Sequence, residues 1–301
     1  MSINLTGQDP AGYYSVLNGL GGAPPSNIPI SDFGKELEYI IKTDELSNFY
    51  ASTISGAFNQ GKNIGNYPDT DIADQLKTVA KLISGGLESK FYMVRLSGFD
   101  THGNQVDAKG EIVGKHHKLL TELSQAIGAF FKDIKEQSID DDIVGLTYSE
   151  FGRKAKENGN LGTDHGEIAP MFVFGKAVKG GMSGINPDLT EATDKNNYQI
   201  ETVQHDYREV MSTILQDFLG ANDTVIDTSL YNHTTNESFL NAKIDELFKK
   251  EYQVDETKYS TVLSTTSFSI NIGENLEWSA FPNPCKDLSL IHISEPTRLG
   301  M

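Results

Sequence analysis

Two short Asp/His groups stand out by residue type and spacing. Asp100 and His102 lie in Ser97-Gly98-Phe99-Asp100-Thr101-His102-Gly103-Asn104-Gln105, and Asp164 and His165 lie in Gly162-Thr163-Asp164-His165-Gly166. Each is set in a Gly-flanked turn after an apolar run. An Asp and an imidazole within one turn offer a hard oxygen and a nitrogen to a divalent cation. Zinc, manganese and iron all accept that mixture, so the donor types leave the metal open. Taken singly, an Asp-x-His is more often a turn with a hydrogen-bonded His. The second pair, expected at another strand end of the same sheet, makes the two read as halves of one metal site. Two ions held there would clamp a phosphate or sulfate ester, polarise it and activate a bound water or hydroxyl.

Other polar residues near these groups have competing readings. His116 falls on the apolar stripe of a long helix and faces the body of the protein, either as a core histidine or as a ligand. His117 lies at the margin of that stripe. Glu150, in Ser149-Glu150-Phe151-Gly152-Arg153, is either a ligand or the partner of Arg153. Asp206 and Arg208 are an orienting pair or, as the simpler reading, a helix cap with a salt bridge. His205, His233 and His292 have no motif around them and read as surface. Lys179-Gly180-Gly181-Met182-Ser183-Gly184 is flexible backbone, too weak a pattern for a phosphate loop.

The elements that must position the Asp/His groups follow from apolar periodicity. Helices are expected over 32–60, 71–84, about 112–136 and 206–219, with a short amphipathic one over 239–250. Strands are expected over 91–96, 143–148 and 171–174. The first would deliver Asp100 and His102 just past its carboxyl end, where open α/β sheets hold ligands. The second would bring Ser149 and Glu150 to the same edge, with a polar loop beyond it. This order predicts an α/β fold with a mainly parallel sheet.

Composition bounds the function. The 301 residues carry 25 basic and 42 acidic side chains, a net charge of −17, which argues against nucleic acid as a partner. Mean hydropathy is −0.37, and the chain has no apolar run long enough for a transmembrane segment. The single cysteine, Cys285, excludes a disulfide framework and a Cys-based zinc site. Met1-Ser2-Ile3-Asn4-Leu5-Thr6 reads as lacking the basic and apolar stretches of an export leader. Residues 1–30, centred on Gly21-Gly22-Ala23-Pro24-Pro25, read as an irregular surface segment, and 251–266 as a Ser/Thr-rich linker. An alternating β pattern follows, with Phe268-Ser269-Ile270-Asn271-Ile272, Trp278-Ser279-Ala280-Phe281-Pro282-Asn283-Pro284 and Leu288-Ser289-Leu290. It is too short to fold alone.

Several motifs occurring in order carry a family resemblance. They are Gly98-Phe99-Asp100-Thr101-His102-x-x-Gln105, His116-x-x-Leu119-Leu120, Ser149-Glu150-Phe151-Gly152-Arg153, Asn158-Gly159, Gly162-Thr163-Asp164-His165-Gly166, Lys179-Gly180-Gly181 and Asp206-x-Arg208. Over about residues 30–220 the chain resembles a large bacterial family of exported proteins of unknown function. That family is placed with the sulfatases in the alkaline phosphatase superfamily. The resemblance implies a three-layer α/β/α fold and a di-metal centre with Asp100 and His102 in one half and Asp164 and His165 in the other. His116, Glu150 and Arg153 are further ligands or groups that orient them. The first Asp and His are one residue apart here, against three in better-studied members, so the assignment of ligands to each metal stays open. Nothing in residues 1–60 matches the first strand, early metal-binding Asp and nucleophile of that superfamily, so the chain reads as lacking its N-terminal part.

A second resemblance concerns the other end. Phe281-Pro282-Asn283-Pro284 followed by a β run resembles the start of the C-terminal sorting domain with which Bacteroidetes secrete proteins across the outer membrane. It implies the outer-membrane secretion machinery as a partner and an extracellular or cell-surface destination. The expected organisation is a sulfatase-like α/β domain over 1–250, a linker over 251–266 and the start of a β-sandwich sorting domain over 267–293. Residues 294–301 read as a non-native tail, because the stretch from Ile291 resembles adaptor-derived sequence.

Three functions fit these residues. The first is a metal-dependent hydrolase acting on an anionic phosphate or sulfate ester. The second is a non-catalytic secreted or cell-surface binding protein that keeps the fold. A calcium-stabilised structural domain is the third, and it would use oxygen ligands and tolerate loss of the histidines.

Overall fold

In α2, Asp71–Ser84, residues Ile72, Ala73, Leu76, Val79, Ala80 and Leu82 recur at helical spacing, and all are buried. They face α3, Lys115–Glu136, whose buried side includes Leu119, Leu123, Ala126, Phe130 and Ile134. This computed structural model describes residues 28, 30–109, 113–231, 243–250, 268–271, 277–280 and 289–294. Residues 1–27 and 29 of the surface segment expected over 1–30, the linker over 251–266 and the Phe281-Pro282-Asn283-Pro284 motif lie outside them.

Ahead of α2 runs α1, Asp32–Gln60, capped by Ser31, whose hydroxyl accepts from the Gly34 N–H at 3.1 Å. After α2 comes β1, Phe91–Arg95, where Tyr92 and Val94 point into the core and their neighbours outward. β2, Ile143–Tyr148, joins two apolar clusters. Ile143 packs with α2 and α3. Val144 and Leu146 pack with Val210, Ile214 and Phe218 of the later helical segment. That segment is α4, Tyr207–Thr213, continued by a π-helical turn over Ile214–Phe218. A short α5, Asp223–Ile226, follows it. Asp206 caps α4 through the Arg208 N–H at 2.8 Å and pairs with the Arg208 guanidinium at 2.8 Å, which is the simpler of the two readings. No helix of the described residues is long and apolar enough to cross a membrane.

The expected three-layer fold with a mainly parallel sheet is not what forms. The strands are short and divide among a four-stranded mixed sheet and two two-stranded antiparallel pairs. Among the described residues, three of the five strand pairings are antiparallel. In the larger sheet β5, Val173–Gly175, runs antiparallel to β2. Parallel neighbours need a crossover, usually helical. Here the chain between β2 and β5 instead makes a hairpin, β3 (Gly152–Glu157) with β4 (Thr163–Gly166), where a polar loop was expected. β6, Phe268–Asn271, and β7, Glu277–Ala280, form the other antiparallel pair. β8, Ser289–Ser294, lies between β1 and β2 and is parallel to both.

The short helix expected over 239–250 is absent from its described part. Residues 243–250 run as turn and extended chain instead, with Phe248 bridged to Val178.

Candidate metal centre

Beyond Arg95 the chain leaves β1 and runs without regular structure through Asp100, as expected of a strand-end loop. What fixes this loop is the β3–β4 hairpin. The N–H groups of Asn104 and Val106 donate to the carbonyls of Asn160 and Leu161, at 3.1 and 3.2 Å. The Asn158 amide donates to the His102 carbonyl at 2.9 Å. Arg153 donates to the carbonyls of Phe99 and Thr163, the latter at 2.7 Å. Gln105 Oε1 accepts from the hydroxyls of Thr101 and Thr163, at 2.9 and 2.8 Å.

The approach at Gly162 is so close that a Cβ there would lie 2.5 Å from the His102 carbonyl oxygen. Gly162→Ala must therefore push the hairpin off the loop. The expected outcome is a loss of metal affinity of about 10-fold or more, read by titration with Zn²⁺, while far-UV circular dichroism stays unchanged.

Hairpin register places Arg153 opposite His165, and both converge on Asp100. The Oδ1 atom of Asp100 lies 2.8 Å from His165 Nε2, 3.1 Å from His102 Nε2 and 3.1 Å from Arg153 Nη2. Asp100, His102 and His165 can each present one ligand atom with all three within 4.8 Å of one another. The three side chains are 43–48% exposed, so the cluster faces solvent. His165 stacks on Phe151 with ring centroids 3.8 Å apart and 9° between planes, which sets the orientation of its imidazole.

Asp164, expected as a ligand beside His165, meets His102 from its other side. Its Oδ1 meets His102 on the far nitrogen, Nδ1, at 3.1 Å, and accepts from the Asn158 amide at 3.2 Å. Lys154 Nζ lies 4.0 Å from its other oxygen. An Nδ1–H given to Asp164 leaves the Nε2 lone pair of His102 aimed at the Asp100 carboxylate. Two such electron-rich atoms repel unless a proton or a cation lies between them. This is the carboxylate–histidine pattern that orients imidazole ligands at metal centres.

The electrostatics favour a charged cluster. Partial burial pushes the Asp100 carboxyl up. Hydrogen bonds from His165 and Arg153, with the nearby His102, outweigh it and hold Asp100 below the usual carboxylate range. The Asn158 amide, then His102 and Lys154, lower Asp164 in the same way. Both acids are ionised at neutral pH and suited to a cation.

Of the remaining sequence candidates, His116 and Glu150 sit outside the converging set. His116 opens α3 half-buried and edge-on to Phe99, with ring centroids 5.8 Å apart. Burial, then the Arg153 charge, pushes its imidazole pKa down. It supports the loop through Phe99. Arg153 pairs with Asp100. Exposed Glu150 acts on Tyr148, whose phenol is pushed up by burial and then by the Glu150 charge. Asn158, Gln105 and Phe151 stand in the quoted motifs but are not singled out by the sequence, because amide donation and ring stacking have no signature in spacing.

A half-exposed Asp/His/His cluster, held between a strand-end loop and a polar hairpin, is thus the class of site present. Residues 79–228 match the family model described as Protein of unknown function (DUF1501), a span that contains every residue of the cluster. No curated protein and no solved structure matches the chain.

Proposed function

We propose that Asp100, His102 and His165 hold a divalent ion of zinc, manganese or iron, and that the chain is a metal-dependent hydrolase of phosphate or sulfate esters. The observation that carries this reading is the Asp100 oxygen facing two imidazole nitrogens, one of them oriented from behind by Asp164. Mixed oxygen and nitrogen donors suit these metals better than calcium. A bound ion supplies Lewis acidity toward an ester oxygen and lowers the pKa of water. The protein's own share is orientation: Asp164 fixes His102, Phe151 fixes His165, and Arg153 holds Asp100 ionised and in place. Lys154 adds positive charge beside the cluster in a chain whose net charge is −17. The reading draws on the donor set and the motif resemblance and needs no alkaline-phosphatase-like fold. Export to the cell surface is part of the same proposal and rests on the Phe281-Pro282-Asn283-Pro284 motif alone.

The test is hydrolysis of 4-nitrophenyl phosphate and 4-nitrophenyl sulfate by the metal-loaded chain. Turnover of either ester, abolished by a chelator and in His165→Ala, is the expected result. One observation favours a second reading, a non-catalytic surface binding protein. The hydroxyls next to the Asp/His groups in the chain, on Thr101 and Thr163, are both committed to Gln105. Stoichiometric metal without turnover of either ester supports that alternative and overturns the hydrolase.

A further inference from the structure

Away from the Asp/His cluster, the loop after β5 meets the segment that leads into α4. Ser183 Oγ lies 3.1 Å from His205 Nε2, and His205 Nδ1 lies 3.2 Å from Glu209 Oε2. A hydroxyl, an imidazole and a carboxylate in this order, each within hydrogen-bond reach of the next, are the parts of an activated serine nucleophile. We infer that Ser183, His205 and Glu209 form a second catalytic site, independent of the metal cluster, which cleaves carboxylic esters of apolar acids.

Local structure holds these groups in register. The Ile185 N–H donates to Gln204 Oε1 at 2.6 Å, and the Gln204 amide donates to the Ile185 carbonyl at 2.7 Å. This pair of bonds clamps the serine loop beside His205. Gly184, at φ +91°, takes a backbone conformation that L side chains rarely adopt, and a Cβ there would lie 2.6 Å from Gln204 Oε1. Glu209 stands four residues after His205 with its side chain 17% exposed, and the imidazole is 36% exposed. Asp206 is committed to Arg208, which leaves Glu209 as the carboxylate on the imidazole. Substrate class follows from the surface. Met182 and Ile185 flank Ser183 in the chain, Val203 and Tyr207 flank His205, and all four are large apolar side chains exposed to solvent.

In the reaction, Ser183 Oγ bonds to the ester carbonyl carbon while its proton passes to His205 Nε2. The bond from that carbon to the alkoxy oxygen then breaks, and the alcohol leaves with the proton. Water repeats the sequence on the acyl-serine, releasing the carboxylic acid and restoring the hydroxyl. Ser183 and His205 are the catalytic residues, and Glu209 is a positioning residue that acts through His205.

The experiment treats the full chain with an alkyl fluorophosphonate, in which the Oγ–P bond forms, the P–F bond breaks and HF leaves. Intact mass and peptide mapping locate the adduct, and 4-nitrophenyl butyrate hydrolysis is followed in parallel. One adduct on Ser183 is expected, absent from Ser183→Ala and formed about 100-fold or more slowly in His205→Ala. Glu209→Gln should slow labelling by about 10-fold or more and lower kcat for the butyrate ester with KM unchanged. A merely structural role for Glu209 would leave kcat in place. Ser183 and His205 are exposed and Glu209 is partly buried, and matching melting curves confirm that the variants fold. Labelling and butyrate hydrolysis persist with a chelator, which separates this site from the metal-dependent reading. No adduct, an adduct on another residue, or labelling lost on chelation overturns the proposal and leaves the Glu209–His205 contact as helix capping.

Discussion

Asp100→Ala is expected to abolish metal binding, whereas Asp164→Ala only weakens it. The difference follows from which atoms meet. Among the described residues, Asp100 Oδ1 is the one carboxylate oxygen within 3.1 Å of both His102 Nε2 and His165 Nε2. Its loss removes the only oxygen donor of the converging set and leaves two imidazoles, too few to retain an exchangeable ion. Asp164 touches His102 on the opposite nitrogen. Its removal frees the ring to rotate and lets the tautomer change, the type of loss that costs about 10–100-fold in affinity. Elemental mass spectrometry after desalting, combined with Zn²⁺ titration, measures both. Near-stoichiometric zinc, manganese or iron in the parent, none in Asp100→Ala or His165→Ala, and a weakened but saturable site in Asp164→Ala is the expected pattern. Equal losses in Asp164→Ala and His165→Ala would return Asp164 to the ligands, as the sequence pattern has it. A metal-free parent chain would sink the site.

That ranking of four similar residues shows where sequence reasoning ends. The two Asp/His groups were legible because they are short, polar and set between glycines, and the structure brings both to one place. The order within the group depends on hairpin register, Arg153 opposite His165. Gly152-Arg153-Lys154-Ala155-Lys156-Glu157 has no alternation of apolar and polar side chains from which a strand could be read. Its pairing comes from the backbone, and its outer residues are exposed. By contrast, α1 and α2 span the residues that apolar periodicity predicts, since burial of one face selects that spacing. The same periodicity misleads near the described end of the main body. Leu247 and Phe248 look helical in spacing, but strand-like bonds take over: the Lys179 N–H donates to Leu247 O, and the Lys249 N–H to Ala177 O, each at 2.9 Å. Tertiary pairing outweighs a short amphipathic pattern whose isolated helix is marginal. Ser183 and His205 lie 22 residues apart with no motif linking them, so only the fold reveals their contact.

Asp133→Asn should destabilise the fold by about 3–5 kcal/mol at neutral pH. Asp133 sits on α3 among Phe130 and Ile134 and is fully buried, an unusual place for a carboxylate. It is kept there by donors from the loop between α1 and α2. Oδ1 accepts from the N–H groups of Ile64 and Gly65 at 2.9 and 3.1 Å, and from Gln137 at 2.9 Å. Oδ2 accepts from Asn63 at 3.1 Å and from the Tyr67 hydroxyl at 2.9 Å. An amide in that place turns one acceptor into a donor facing donors, so buried N–H or O–H groups lose their partner. Burial pushes the Asp133 carboxyl up, but the Ile64 N–H and the Asn63, Gln137 and Tyr67 side chains outweigh it and hold its pKa below the ordinary value. Burial and then Asp133 itself push the Tyr67 phenol well up, so it remains a donor throughout the accessible pH range. The sign of the pH dependence follows. A carboxyl whose folded pKa is lowered contributes its full stability above the unfolded value, about 3.9. That contribution is lost as the pH falls through the folded value. Urea denaturation at a series of pH values should show a constant gap between parent and variant above about pH 5. The gap should shrink below about pH 4 as the parent protonates. A gap under about 1 kcal/mol at pH 7, or one that widens in acid, would show that these hydrogen bonds do not anchor the loop to α3.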